Sequence, residues 1–161
     1  MKTKFLIFTL LLTILAAPCQ TCYAGDTDKN TGKEAYYVDE SMDGIYYEIS
    51  LDVISSKNVF RNIKTKIVSK TIACKNNQNE TLWSFSLTGT FEYDGNTAVC
   101  ISTSHSESVF DSNWHLISAS SYASSNKAYG DITMRLYTLG VPIRTDNRSL
   151  QITCDKDGNI T

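Results

Sequence analysis

The side chains of this chain with chemistry to offer are two histidines, five cysteines and nine tyrosines. His105 and His115 lie near each other, with Glu107 and Asp111 between them and serines on both sides. Such a set could serve nucleophilic catalysis, in which a base sits beside the nucleophile and is oriented by a third group. No G-x-S-x-G elbow is present, and the serines fall at ordinary strand and loop positions. A zinc site wants three or four ligands at recognisable spacing, which His105, Glu107 and His115 do not supply. The run Asp155-Lys156-Asp157-Gly158-Asn159 mimics the middle of a calcium loop. Alignment puts Thr153 at the first ligand position and no helix flanks the run, so a plain turn is expected. Neither a metal nor a cofactor is expected.

The tyrosines offer more. Tyr46, Tyr129 and Tyr137 are expected to point outward, where rings could stack on a sugar or peptide, whereas Trp83 and Trp114 fall on core faces. The expectation is a binding or interaction module rather than an enzyme, with a cell-wall polymer, a glycan or an extracellular protein as ligand. A small hydrolase using His105 or His115 is the alternative, as is an effector or inhibitor acting on a partner protein. Arg61, Lys64, Lys66, Lys70 and Lys75 form a basic cluster that could hold an anionic polymer. The same lysines also suit a solvated edge strand that resists pairing, and that reading is preferred.

Strands must position all of these groups. Between Thr81 and Thr97, residues Trp83, Phe85, Leu87, Gly89, Phe91 and Tyr93 alternate with Ser84, Ser86, Thr88, Thr90 and Glu92, which defines a strand with one aromatic face. Asp94-Gly95 predicts a two-residue hairpin turn that sets Gly89 opposite Cys100 on the core face. Further strands are expected over Ile45–Ile54, Lys64–Cys74, Trp114–Tyr122, Ala128–Leu136 and Ile143–Cys154, with loops at 55–62 and 102–113. On these, Trp114, Leu116 and Tyr122 are placed inward, as are Leu150, Ile152 and Cys154. About seven strands and no amphipathic helix predict an all-β fold, a two-sheet antiparallel sandwich, with an immunoglobulin-like strand order as one arrangement of that class.

The chain opens with Lys2 and Lys4, an apolar run from Phe5 to Ala17, and Cys22-Tyr23-Ala24 ahead of Gly25, the pattern of a cleaved signal peptide over residues 1–24. The run is too short to span a bilayer. Residues 25–44 are acidic and without period, a flexible lead-in to a single domain over 45–161. Removing Lys2 and Lys4 leaves 13 basic against 17 acidic residues, a net charge of −4 concentrated in the lead-in. No nucleic-acid footprint follows from that distribution. An extracellular address permits disulfides, and Cys74, Cys100 and Cys154 allow three single pairings.

The segments LWSFSLTGTFEYDGNTAVC, NWHLISAS, SSNKAYGDITMRLY and LQITCDKDGNIT resemble an uncharacterised family of small exported domains from Gram-positive bacteria. In that family an LW-x-[FLV]-x-L-x-G-x-F-x-Y-[ND]-G hairpin precedes a cysteine strand, and an L-T-C-x-x-x-G ending closes the domain. The resemblance covers roughly residues 64–161. It implies a fold and a secreted, extracellular address but no activity. It also implies a Cys100–Cys154 disulfide, since the cysteine pair of the family matches these two positions, and leaves Cys74 as an extra thiol.

Overall fold

The computed structural model describes residues 34–40, 44–60 and 63–161. Alternation of apolar and polar residues builds eight antiparallel strands: β1 (Glu34–Glu40), β2 (Ile45–Phe60), β3 (Ile63–Asn76), β4 (Thr81–Tyr93), β5 (Ala98–Val109), β6 (Trp114–Ser124), β7 (Lys127–Thr138) and β8 (Val141–Thr153). Seven of them form the expected two-layer sandwich, β2–β5 in one sheet and β6–β8 in the other, and β1 adds to the outer edge beside β2. Strand order follows chain order within each sheet. Each sheet is therefore a meander, and the immunoglobulin arrangement, which mixes strands between sheets, is not adopted.

The core lies where β4 faces β7. Trp83, Phe85, Leu87 and Phe91 from β4 and Ala128, Ile132 and Met134 from β7 are all buried, joined by Leu150 and Ile152 of β8. Gly89 has a specific reason to be glycine. A Cβ there would stand 2.7 Å from the Phe91 ring and 3.0 Å from the Ala128 Cβ. Its missing side chain admits the Phe91 ring and the opposing sheet.

The hairpin register also differs from expectation. Tyr93 pairs with Ala98 and Phe91 with Cys100, and a bulge then sets Gly89 opposite Thr103. The loop takes four residues because Asp94 Oδ1 accepts from the Asn96 and Thr97 backbone N–H groups at 2.8 and 2.7 Å. An Asp side chain that caps the two following amides closes a longer turn than Asp-Gly alone would. The shift is by two residues, so Cys100 still faces the core.

Three stretches differ in kind. β5 continues through 102–109, read as a loop, since hydroxylated residues with both faces wet carry no apolar period. β2 extends to Phe60, through most of the expected 55–62 loop, and β1 lies within the stretch read as a flexible lead-in. On β6, a bulge between Leu116 and Ser118 turns Tyr122 outward beside Tyr129 and leaves Leu116 partly exposed. The signal-peptide segment lies outside the described residues.

Candidate functional site

The three tyrosines do not share a face. Tyr46, on β2 of the larger sheet, donates its hydroxyl to Asn79 Oδ1 at 2.5 Å. Tyr129 and Tyr137 both lie on the outer face of β7, at opposite ends of the smaller sheet. Eight residues of strand separate them, about 27 Å at the usual rise.

Each of the β7 tyrosines has an aromatic partner on β6. Tyr129 stacks on Tyr122, with centroids 4.9 Å apart and planes 13° from parallel. Tyr122 is 53% exposed. Tyr137 meets His115 edge to face at the same separation. Asp131, Thr133 and Arg135 of β7 and Thr145, Asn147, Ser149 and Gln151 of β8 occupy the face between the two pairs. They bond among themselves: Thr133 Oγ1 donates to Asn147 at 2.9 Å and Ser149 Oγ to Asp131 at 2.6 Å. One carboxylate and one guanidinium leave this face without net charge. Tyr122 escaped sequence reasoning because a bulge inverts its side, which strict alternation cannot foresee.

The histidines separate as well. His105 Nδ1 lies 2.9 Å from Ser121 Oγ, with the ring against Phe85. The contact is solvent-facing, and among the described residues no carboxylate bonds to the imidazole, so the third member of a triad is missing there. No group of three metal-ligating side chains occurs among the described residues.

β3 lies inside its sheet rather than at the edge, and three lysines of the basic cluster are spent on structure. Lys66 Nζ donates to the Gly158 carbonyl at 2.5 Å, Lys70 Nζ to the Gln151 carbonyl at 3.1 Å, and Lys75 pairs with Glu48. Burial lowers the Lys70 pKa. Arg61 lies outside the described residues.

A buried polar knot joins the sheets instead. Tyr47 of β2 donates to Asp146 of β8, which is 6% exposed; Arg144 Nε donates to the same carboxylate at 2.7 Å, and the Arg148 guanidinium lies 3.7 Å over the Tyr47 ring. Burial, and then the bond to Asp146, pushes the Tyr47 pKa up. Arg144, Asp146 and Arg148 share the parity of Leu150 and Ile152, so extending that alternation backward would have found them inward. The knot crosslinks the core and exposes no reactive group.

Cys74, Cys100 and Cys154 are buried and unbridged. Cys74 pairs across with Tyr47 and Trp83 at one end of the sandwich, and burial pushes its thiol up to about 12. Cys100 and Cys154 lie at the other end. Their backbone N–H groups donate to the consecutive carbonyls of Ser125 and Asn126, at 2.8 and 3.1 Å. The 155–159 run is the expected turn, with the Asp155 carboxylate taken by the Asp157 and Asn159 amides.

Comparison with protein-family models, with curated proteins and with solved structures returns no match.

Proposed function

We propose that the protein is an exported binding module that holds a glycan or other cell-wall polymer against the outer face of β6–β8. The observation that carries the reading is the pair of aromatic contacts, Tyr122 with Tyr129 and His115 with Tyr137, framing a polar run without net charge, rich in hydroxyls and amides, on one exposed sheet face. Rings stack on sugar faces while short polar side chains bond to their hydroxyls, and an extended polymer can touch both ends of the strand. The test is retention on insoluble cell-wall polysaccharide. A Tyr122→Ala/Tyr129→Ala variant should lose retention about tenfold, the scale of one to two aromatic contacts. His105→Ala should bind as the parent does. Unchanged retention in the tyrosine variant overturns the reading, and turnover lost in His105→Ala would favour the hydrolase.

The signal-type leader and the resemblance to exported Gram-positive domains support an extracellular address. The intact mass of secreted material should then lack residues 1–24. In that setting Cys100 and Cys154 form the disulfide, a pairing supported by the resemblance and by their shared anchorage on the Ser125-Asn126 turn.

A further inference from the structure

The turn joining β7 to β8 uses a residue that folding does not favour. Leu139 and Gly140 are its two central residues, with φ of 51° and 78°, between the paired Thr138 and Val141. A two-residue turn with both φ positive takes asparagine, aspartate or glycine first, because a branched apolar side chain gains nothing from the left-handed region and meets steric cost there. Leu139 is nevertheless 99% exposed. It does not stand alone. Val141 and Ile143 follow at 59% each, and Phe110, on the β5–β6 turn at the same end, is 66% exposed. The two turns are tied by the Tyr137 N–H donating to the Asn113 carbonyl at 2.9 Å.

We propose that this end of the sandwich is a lipid anchor, inserting Leu139, Val141, Ile143 and Phe110 into the surface of a bilayer. Leu139 stands at the tip of a two-residue turn, and a tip that projects fully into solvent suits a deformable surface better than a rigid pocket. What stands behind the tip follows the order of a membrane interface. Tyr137, with His115 against its ring, lies about 7 Å back along β7 and Arg135 about 14 Å back at the usual strand rise. Apolar groups of interfacial proteins sink about 5–10 Å, with aromatic and then charged groups at the headgroups. Asp111 and Glu80 on the neighbouring turns offset the cations, so the anchor has no need of anionic lipid.

The test is co-sedimentation of the full mature chain with phosphatidylcholine vesicles, alone and with one quarter phosphatidylglycerol. The parent should pellet about equally with both. Leu139→Asn should cut the bound fraction at least fivefold while raising the melting temperature by about 2–4 °C, because asparagine suits the positive φ. Ile54→Asn, which removes an exposed apolar residue far along β2 from this end, should bind as the parent does. A parent that stays in the supernatant with both vesicles overturns the proposal, as does equal pelleting of Leu139→Asn. A dimer in solution that Leu139→Asn disperses would assign the surface to a second copy instead, and would equally overturn it.

Discussion

The two ends of the sandwich are finished in opposite ways. At one, the β4–β5 turn, the β6–β7 turn and the closing 155–159 turn are sewn to each other: the Gly95 N–H donates to the Lys156 carbonyl at 2.9 Å, Cys100 and Cys154 bond to the β6–β7 turn, and Lys66 reaches the Gly158 carbonyl. At the other, Phe110, Leu139, Val141 and Ile143 stand in solvent. Ile63, Val99 and Ile101 near the first end are also exposed, at 41–50%, but they lie on strands, whereas Leu139 stands on a turn at 99%. Scattered exposed apolar residues are ordinary, whereas a fully exposed leucine at positive φ with apolar neighbours calls for a reason.

The largest effect that would sharpen this contrast comes from the disulfide proposed at the closed end. A Cys100–Cys154 bridge encloses roughly 55 residues and should stabilise the oxidised protein by about 4 kcal/mol through loop-closure entropy. Cys100→Ala in the secreted protein should lower the denaturation midpoint accordingly, and Cys74→Ala should show no such loss of a crosslink. Peptide mapping without reduction decides the pairing. A Cys74–Cys100 or Cys74–Cys154 peptide as the main species would show that the closed end is not where the crosslink lies.

Much of this layout is legible in the chain. The inward series on β4, β7 and the second half of β8 follow from alternation alone, because those strands bury one face and wet the other. What alternation could not reach has particular causes. The Asp94 carboxylate lengthens a turn, the bulge at Ile117 swings Tyr122 outward, and β5 beyond Ser102 is wet on both faces and so loses its period. The candidate binding face was legible only in part. Tyr129 and Tyr137 were found, Tyr122 was hidden by the bulge, and Tyr46 belongs to the other sheet. Leu139 falls between two expected strands, and neither its φ nor its exposure can be read without the turn type.

A middle-sized test compares one substitution at both ends. Gly158 and Gly140 share positive φ, 87° and 78°. A Cβ on Gly158 would stand 2.4 Å from the Tyr93 ring, and one on Gly140 would meet nothing within 4 Å. Gly140→Ala should therefore cost about 1 kcal/mol of backbone strain alone. Gly158→Ala adds displacement of a buried ring and should cost about 2–4 kcal/mol by thermal or urea unfolding. Equal costs would mean that the closed end yields as readily as the open one, which its hydrogen bonds argue against.

The smallest effect concerns acid. The Asp94 and Asp155 carboxylates hold the closed end's turns and are fully exposed. Backbone N–H groups of Thr97 and Asn96 draw the Asp94 pKa below its ordinary value, and the Asn159 side chain and backbone N–H do the same for Asp155. A carboxylate whose folded pKa is depressed contributes stability that is present above its unfolded pKa, about 3.9, and is lost as pH falls through the folded value. The turns should thus be intact from neutral pH down to about 4 and loosen only below it. Amide exchange of Asn159 and Thr97 is the direct readout, because their N–H groups donate to these carboxylates at 2.8 and 2.7 Å. Protection should fall in acid at both amides. Asp155→Asn, which keeps an oxygen acceptor but cannot titrate, should flatten the profile at Asn159 and leave Thr97 unchanged. Protection at Asn159 that survives unaltered to pH 2 in the parent would show that the backbone bonds alone close this end.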